Sequence, residues 1–233
     1  MVEQEFTSPE FCRFGYDELT ACAIDTFRKA QSTRADVLLL EHQGKRAVLK
    51  DYTHSSRGFA RLVAPYLVKK ETRALDLLRD ADGVPRHYCN VNRHAFVMEY
   101  LEARRIRDVL DSLDIEEFVT KVENLVKDLH DRGVAHGDLR NATNIMVRRD
   151  NEPVIVDFGS AFHRGHPLNP VSLWLFCMCK RIDRGALAKL KKKYAPALLS
   201  AKDVHESENP GLVENIARFV SVHGRNLIQK IFP

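Results

Sequence analysis

The sequence has no long apolar run. Its longest candidate, Val171 to Cys179, falls far short of the ~20 residues a membrane-crossing helix needs, so no spanning helix is expected. One-sided charge is missing too. Thirty-six basic residues stand against 32 acidic ones, a formal net charge of +4, too small to name a class of partner before the charges are located. Cysteine is sparse and odd in number, with five residues at positions 12, 22, 89, 177 and 179. Cys177 and Cys179 have no second pair to complete a zinc site, so they read as packing residues. The opening residues, MVEQEFTSPEF, lack the basic and apolar regions of a secretory leader. Reduced thiols in the cytoplasm are therefore expected. Internal repeats and low-complexity linkers are also absent, which removes solenoids and disordered tethers as readings.

What is present is an ordinary globular balance, 44% apolar and 29% charged over 233 residues, enough for one domain or two small lobes. The first third reads as strands. Residues 35–40 and 46–50 flank a turn at His42-Gln43-Gly44-Lys45, which predicts a β-hairpin. A helix follows Pro65, with Leu67, Glu71, Leu75 and Leu78 at helical spacing, and stops near Asp82-Gly83-Val84-Pro85. Residues 95–101 read as a buried strand entering a connector. The second half opens with a helix capped by Asp114, carries Ile115, Phe118, Val122, Leu125 and Leu129 on one face, and closes at Gly133. Short strands at 145–147 and 154–156 come next, and the pattern is helical from about Leu173 to the end. Strands first and helices second predict an α+β protein. It would have a small, mainly-β N-lobe (about 1–98), a hinge (about 99–105) with a cleft beside it, and a mainly-α C-lobe (about 106–233).

One segment carries chemistry. His136-Gly137-Asp138-Leu139-Arg140-Asn141-Ala142-Thr143-Asn144 leads into a strand, a turn, a second strand and then Asp157-Phe158-Gly159. Asp138 can orient a hydroxyl and accept its proton. Asn144 and Asp157 offer hard oxygen ligands suited to Mg²⁺. His136 reads as a brace for the loop. These motifs resemble the protein-kinase-like superfamily. The His-Gly-Asp-Leu sequence and the small size make the chain similar to RIO kinases, bacterial lipopolysaccharide kinases and aminoglycoside phosphotransferases. The stretch from Arg181 to Lys191 is most like the lipopolysaccharide-kinase group.

The resemblance implies a phosphotransferase that uses ATP and Mg²⁺ on an alcohol acceptor. Asp138 would be the catalytic carboxylate and Asn144 and Asp157 the metal ligands. Lys50 would hold the α- and β-phosphates, Glu71 would pair with Lys50, and Glu99 to Leu101 would meet adenine. The acceptor it implies is a lipid-linked sugar or a protein Ser/Thr. A catalytically inactive pseudokinase that binds nucleotide or partners is the alternative.

Four departures from the family pattern stand out. Residues 27–35 hold no glycine where kinases carry a glycine-rich loop, so the backbone N–H groups of Ser32 and Thr33 are the substitutes. Asn144 follows Asp138 by six residues, against five in most kinases, which makes Asn141 a rival ligand. Arg140 replaces a common lysine and can steady the γ-phosphate. No Ala-Pro-Glu motif follows Asp157, so neither a large peptide-docking platform nor a phosphorylation switch is expected. The basic run from Lys180 to Lys193 reads either as the solvated face of a core helix or as a contact for an anionic membrane at the inner face. No stacking platform or helix-turn-helix signal points to nucleic acid.

Overall fold

Short apolar segments between residues 23 and 99 build an antiparallel sheet. The computed structural model describes residues 10–166, 169–201 and 203–204. Within these the chain divides into two units, one holding 10–72 and 86–100, the other 73–85 and 101–204. The changeover at Tyr100–Leu101 lies inside the segment read as a hinge. Residues 73–85 cluster with the second unit, which contiguous lobe ranges did not anticipate.

The first unit contains helix α1 (Tyr16–Ala21), strands β1 (Ala23–Arg28), β2 (Asp36–His42) and β3 (Lys45–Asp51), and helix α2 (Arg57–Leu62). Helix α3 (Ala64–Leu77) begins here, and strands β4 (His87–Asn92) and β5 (Ala95–Glu99) complete the unit. The five strands lie in the order β1-β2-β3-β5-β4. The hairpin is as read: β2 and β3 pair from Asp36↔Asp51 to His42↔Lys45, with Gln43 and Gly44 at positive φ in the turn. Leu40, Ala47, Leu49, Ala95 and Val97 form a buried cluster with Phe11 and Leu19. Side chains alternate along a strand, so Val48, Lys50 and Phe96 point to the opposite face, where they too are buried.

The expectation of five reduced thiols is corrected. Cys12 and Cys89 are joined in a disulfide between residues 77 apart in sequence, a pairing that only the folded sheet brings about. Cys22, Cys177 and Cys179 take no part in a disulfide.

The second unit contains strand β6 (Ala103–Arg105), helix α4 (Ile115–Asp131), strands β7 (Val134–Ala135), β8 (Ile145–Arg148), β9 (Pro153–Ile155) and β10 (Phe162–His163), and helix α5 (Pro170–Tyr194). The Asp114 carboxylate accepts from Glu117 N–H at 3.0 Å and caps α4. Phe118, Val119, Val122, Leu125, Val126 and Leu129 on this helix are buried, the stripe that a 3.6-residue period dictates. Strand β8 lies between β6 and β9, while β7 pairs with β10. Gly83 packs so tightly that a Cβ there would lie 2.4 Å from the Pro153 carbonyl oxygen, and Ile155 N–H donates to Gly83 O at 2.8 Å. Helix α5 starts with Pro170 at its first turn and Asn169 as its cap. It stops at Tyr194 before Pro196, which cannot continue a helix. The helical pattern read from about Leu173 to the end is interrupted at this point, and its stretch after residue 204 lies outside the described residues. Among the described residues no helix is long and apolar enough to cross a membrane.

Candidate active site

Each unit carries a set of the candidate residues. In the first, the period of β3 turns Lys50 away from the Ala47–Leu49 face and toward α3. There its Nζ lies 2.7 Å from Glu71 Oε1, with side chains 3% and 1% exposed. A charge so buried is costly unless paired, and removing one partner of such a pair typically destabilises by ~3–5 kcal/mol. Asp51 fixes the end of the strand: it accepts from Tyr16 OH at 2.7 Å and from Thr53 N–H and Oγ1–H at 2.8 and 2.6 Å. Burial and the bond donated to Asp51 push the Tyr16 phenol up to about 12.

Ser32 and Thr33 form a tight turn closed by the Gln31↔Arg34 bridge. Ser32 has φ 47°, and its carbonyl accepts from Ser56 N–H at 2.7 Å. A polar bond network therefore shapes the segment where glycine is missing. Glu99 is engaged by Arg86: its Oε2 accepts from Arg86 N–H at 3.1 Å, and its own N–H donates to Arg86 O at 2.8 Å. Leu101 is half-buried at the start of the second unit. Asp36, Asp51 and His54 bring ligand atoms within 4.8 Å of one another, but these groups already bond Ala30 N–H, Tyr16, Thr53 and each other.

In the second unit the loop from His136 to Asn144 is held from beneath. Asp183 of α5 is fully buried. Its carboxylate accepts from His136 N–H and Gly137 N–H, both at 2.8 Å, and meets His130 Nε2 at 2.9 Å. His136 braces the loop as expected. Its Nε2 lies 3.0 Å from Val156 O, and a carbonyl only accepts, so that nitrogen carries the proton. Nδ1 then accepts from Asp138 N–H at 3.3 Å, and the ring packs edge-on to Phe158 with centroids 4.8 Å apart. Gly137 adopts φ 77°, and a Cβ on it would lie 3.0 Å from Ser160 O. The loop conformation therefore selects glycine at this position.

Two tight turns absorb the extra residue of the loop: Asn141 N–H donates to Asp138 O at 3.3 Å and Asn144 N–H to Asn141 O at 2.9 Å. The buried Asn144 donates Nδ2–H to Asp138 O at 3.0 Å and to Asp138 Oδ2 at 3.4 Å. Its Oδ1 has a long 3.5 Å contact from Thr143. Asn141 is exposed, and its Oδ1 accepts from Thr143 Oγ1–H at 2.8 Å. Val156 N–H donates to Asn144 O at 3.0 Å, which fixes the backbone before Asp157 beside Asn144. Asp157 adopts the left-handed conformation, φ 65° and ψ 67°, a sparsely used region often found at functional sites. Arg140 lies against α5, its Nη2 3.8 Å from where a Cβ on Gly185 would stand.

Asp138 and Asn144 are thus brought together, with Asp157 attached through the strand pair, and Lys50 is brought to Glu71. Asp183 was missed by the sequence reading. The available signal was one acid alone in a run of seven lysines and arginines.

A family model described as the RIO domain matches residues 17–175. Among curated proteins the chain is similar to KEOPS complex subunit Bud32 of Pyrococcus abyssi, 37% identical over 68 residues, covering 28% of this chain and 30% of that protein. It is also similar to RIO-type serine/threonine-protein kinase Rio1 of Methanocaldococcus jannaschii, 29% identical over 143 residues, covering 56% and 48%. The chain therefore spans less than half the length of these relatives. Among solved structures it resembles the Rio2 kinase-ADP/Mg²⁺-phosphoaspartate complex of Chaetomium thermophilum. The TM-score is 0.53 at 18% identity, covering 88% of this chain and 66% of that one. The likeness shows the α+β protein-kinase-like fold.

Proposed function

The chain belongs to the RIO domain family, and from that premise we propose that it is an ATP-dependent kinase whose acceptor is a Ser or Thr hydroxyl of a protein. The observation that carries this reading is the loop of the second unit. There Asp183 holds the backbone, Asn144 bonds Asp138, and Val156 ties Asp157 to Asn144. Relatives named as serine/threonine kinases favour a protein acceptor, and the lipid-linked sugar draws no support from them.

The acceptor oxygen forms a bond to the γ-phosphorus while the bond from that phosphorus to the β,γ-bridging oxygen breaks. ADP leaves with the electron pair, and the hydroxyl proton passes to the Asp138 carboxylate. Lys50, fixed by Glu71, holds the α- and β-phosphates. Arg140 steadies the γ-phosphate, the Ser32 and Thr33 N–H groups cover the phosphates, and the Glu99 to Leu101 backbone meets adenine. Asn144 Oδ1 and the Asp157 carboxylate form an all-oxygen donor set, which fits Mg²⁺. Bound there, the ion supplies neutralisation of phosphate charge.

The turn without glycine around Ser32 favours the second reading, a nucleotide-binding pseudokinase. Thermal melts with Mg²⁺-ATP and labelled transfer assays separate the two. The kinase reading expects a raised midpoint that Lys50→Ala weakens, together with label on a protein acceptor. A raised midpoint with no transfer to any protein fraction would leave the pseudokinase.

A further inference from the structure

A pocket of about 520 Å³ opens beside the Asp138 loop, and every residue lining it belongs to the second unit. Arg105, Arg107, Arg140, Lys189 and Lys193 line it, and no carboxylate is among the described residues that do. Asp108 offsets Arg107 in part, 3.3 Å away. The cations converge from three places: the end of β6, the loop just after Asp138, and the last turns of α5. Lys189 and Lys193 are four apart and so share one helix face. Lys191 points elsewhere, to Glu123 at 2.9 Å and Asp203 at 3.2 Å. The basic run is thus split between a structural face and a pocket face. Beneath the charges the lining is apolar, with Ile106, Leu139 and Ile145 buried.

We propose that this pocket docks an acidic segment of the protein acceptor, with Asp or Glu side chains on the basic rim and an apolar side chain on the floor. The inference rests on the kinase reading above and names its substrate class. Leu139 and Arg140 immediately follow Asp138 and line the pocket, so a docked segment lies next to the proposed proton acceptor.

Charge complementarity alone would also suit RNA or a membrane, and two observations set these aside. Base stacking needs an open aromatic face, yet the Tyr194 ring carries Lys193 Nζ 4.6 Å from its centroid. Membrane contact needs apolar and basic groups side by side. The exposed apolar residues of α5, Val171, Leu173 and Trp174, lie roughly 30 Å along the helix from Lys193 at 1.5 Å per residue.

The test is fluorescence anisotropy on the full chain without nucleotide. The probes are a labelled peptide with Ser and Leu among glutamates, and the same peptide with Gln for every Glu. The Glu peptide should bind roughly tenfold tighter, with the preference shrinking as salt screens the charges. Arg105→Glu with Lys193→Glu should abolish the preference. Should that pair not fold, Arg105→Gln with Lys193→Gln reads the same loss. Equal affinity for the two peptides, a preference that survives the substitutions, or tighter binding of a short single-stranded RNA or of phosphatidylserine vesicles would overturn the proposal. Peptide binding is read without ATP. In the native chain, no preference beside an intact Mg²⁺-ATP melting shift removes the docking inference alone, while a clear preference with no such shift removes the kinase reading alone.

Discussion

Asp183 shows how one carboxylate can organise a loop it never joins. It accepts two backbone N–H groups 47 and 46 residues earlier in the chain, and buried donors without partners are costly. Asp183→Ala should therefore destabilise the protein by roughly 2–4 kcal/mol in urea melts and lower turnover as the Asp138 loop loosens. Asp138, Asn144 and Asp157 were legible as candidates because they fall in one short stretch with characteristic neighbours. Asp183 was not, because its partners are distant and sequence shows only an isolated acid. Gly137 was read as a family variant, and its positive φ beside Ser160 supplies the physical reason. Gly137→Ala should lower stability by about 1 kcal/mol or more. The rival ligands separate by metal titration: Asn144→Ala should raise the Mg²⁺ requirement and Asn141→Ala should not, since Asn141 is spent on the Thr143 turn.

At the scale of elements, α5 presents three faces. Asp183 supports the loop, Lys191 anchors Glu123 and Asp203, and Lys189 with Lys193 lines the basic pocket. Burial pulls the Lys191 ammonium down, but the carboxylates of Glu123 and Asp203 outweigh it and hold the group above its ordinary value. Burial likewise raises Asp203, while bonds from Ser200 and Lys191 prevail and hold it below the usual carboxylate range. A lysine raised in the folded state gives stability that is lost as pH climbs through its folded value. A lowered carboxylate gives stability that is lost as pH falls through its folded value. The anchor should therefore stabilise between about pH 4 and pH 10 and fade outside that window. Lys191→Met should flatten those two edges in melts across pH. The hairpin, the Asp114 cap and the paired strands around residue 150 were legible, since alternation and capping are local signals. Strand β4, His-Tyr-Cys-Asn-Val-Asn, was not, because it lies at the sheet edge and carries little apolar alternation. The inward turn of Lys191 was equally hidden, as charge alone does not reveal which way a helix faces.

For the whole molecule, element order gave an α+β protein, and the resemblance of the His-Gly-Asp-Leu and Asp-Phe-Gly motifs, set in that order, made the protein-kinase-like fold legible. The Cys12–Cys89 bond was outside that reach. A thiol titration of the unfolded, unreduced protein should find three reactive cysteines, and five after reduction. Reduction should cost about 2–4 kcal/mol, as expected for a bond that closes a long loop. We propose that Asp138 serves phosphoryl transfer while Asp157 serves the nucleotide's metal. The direct measurement is transfer of label from γ-labelled ATP with Mg²⁺, made alongside Mg²⁺-ATP affinity, in the native chain, Asp138→Asn and Asp157→Asn. Asp138→Asn should lose ~100-fold or more in turnover with affinity nearly unchanged, whereas Asp157→Asn should lose both. Full turnover in Asp138→Asn would overturn this division of roles.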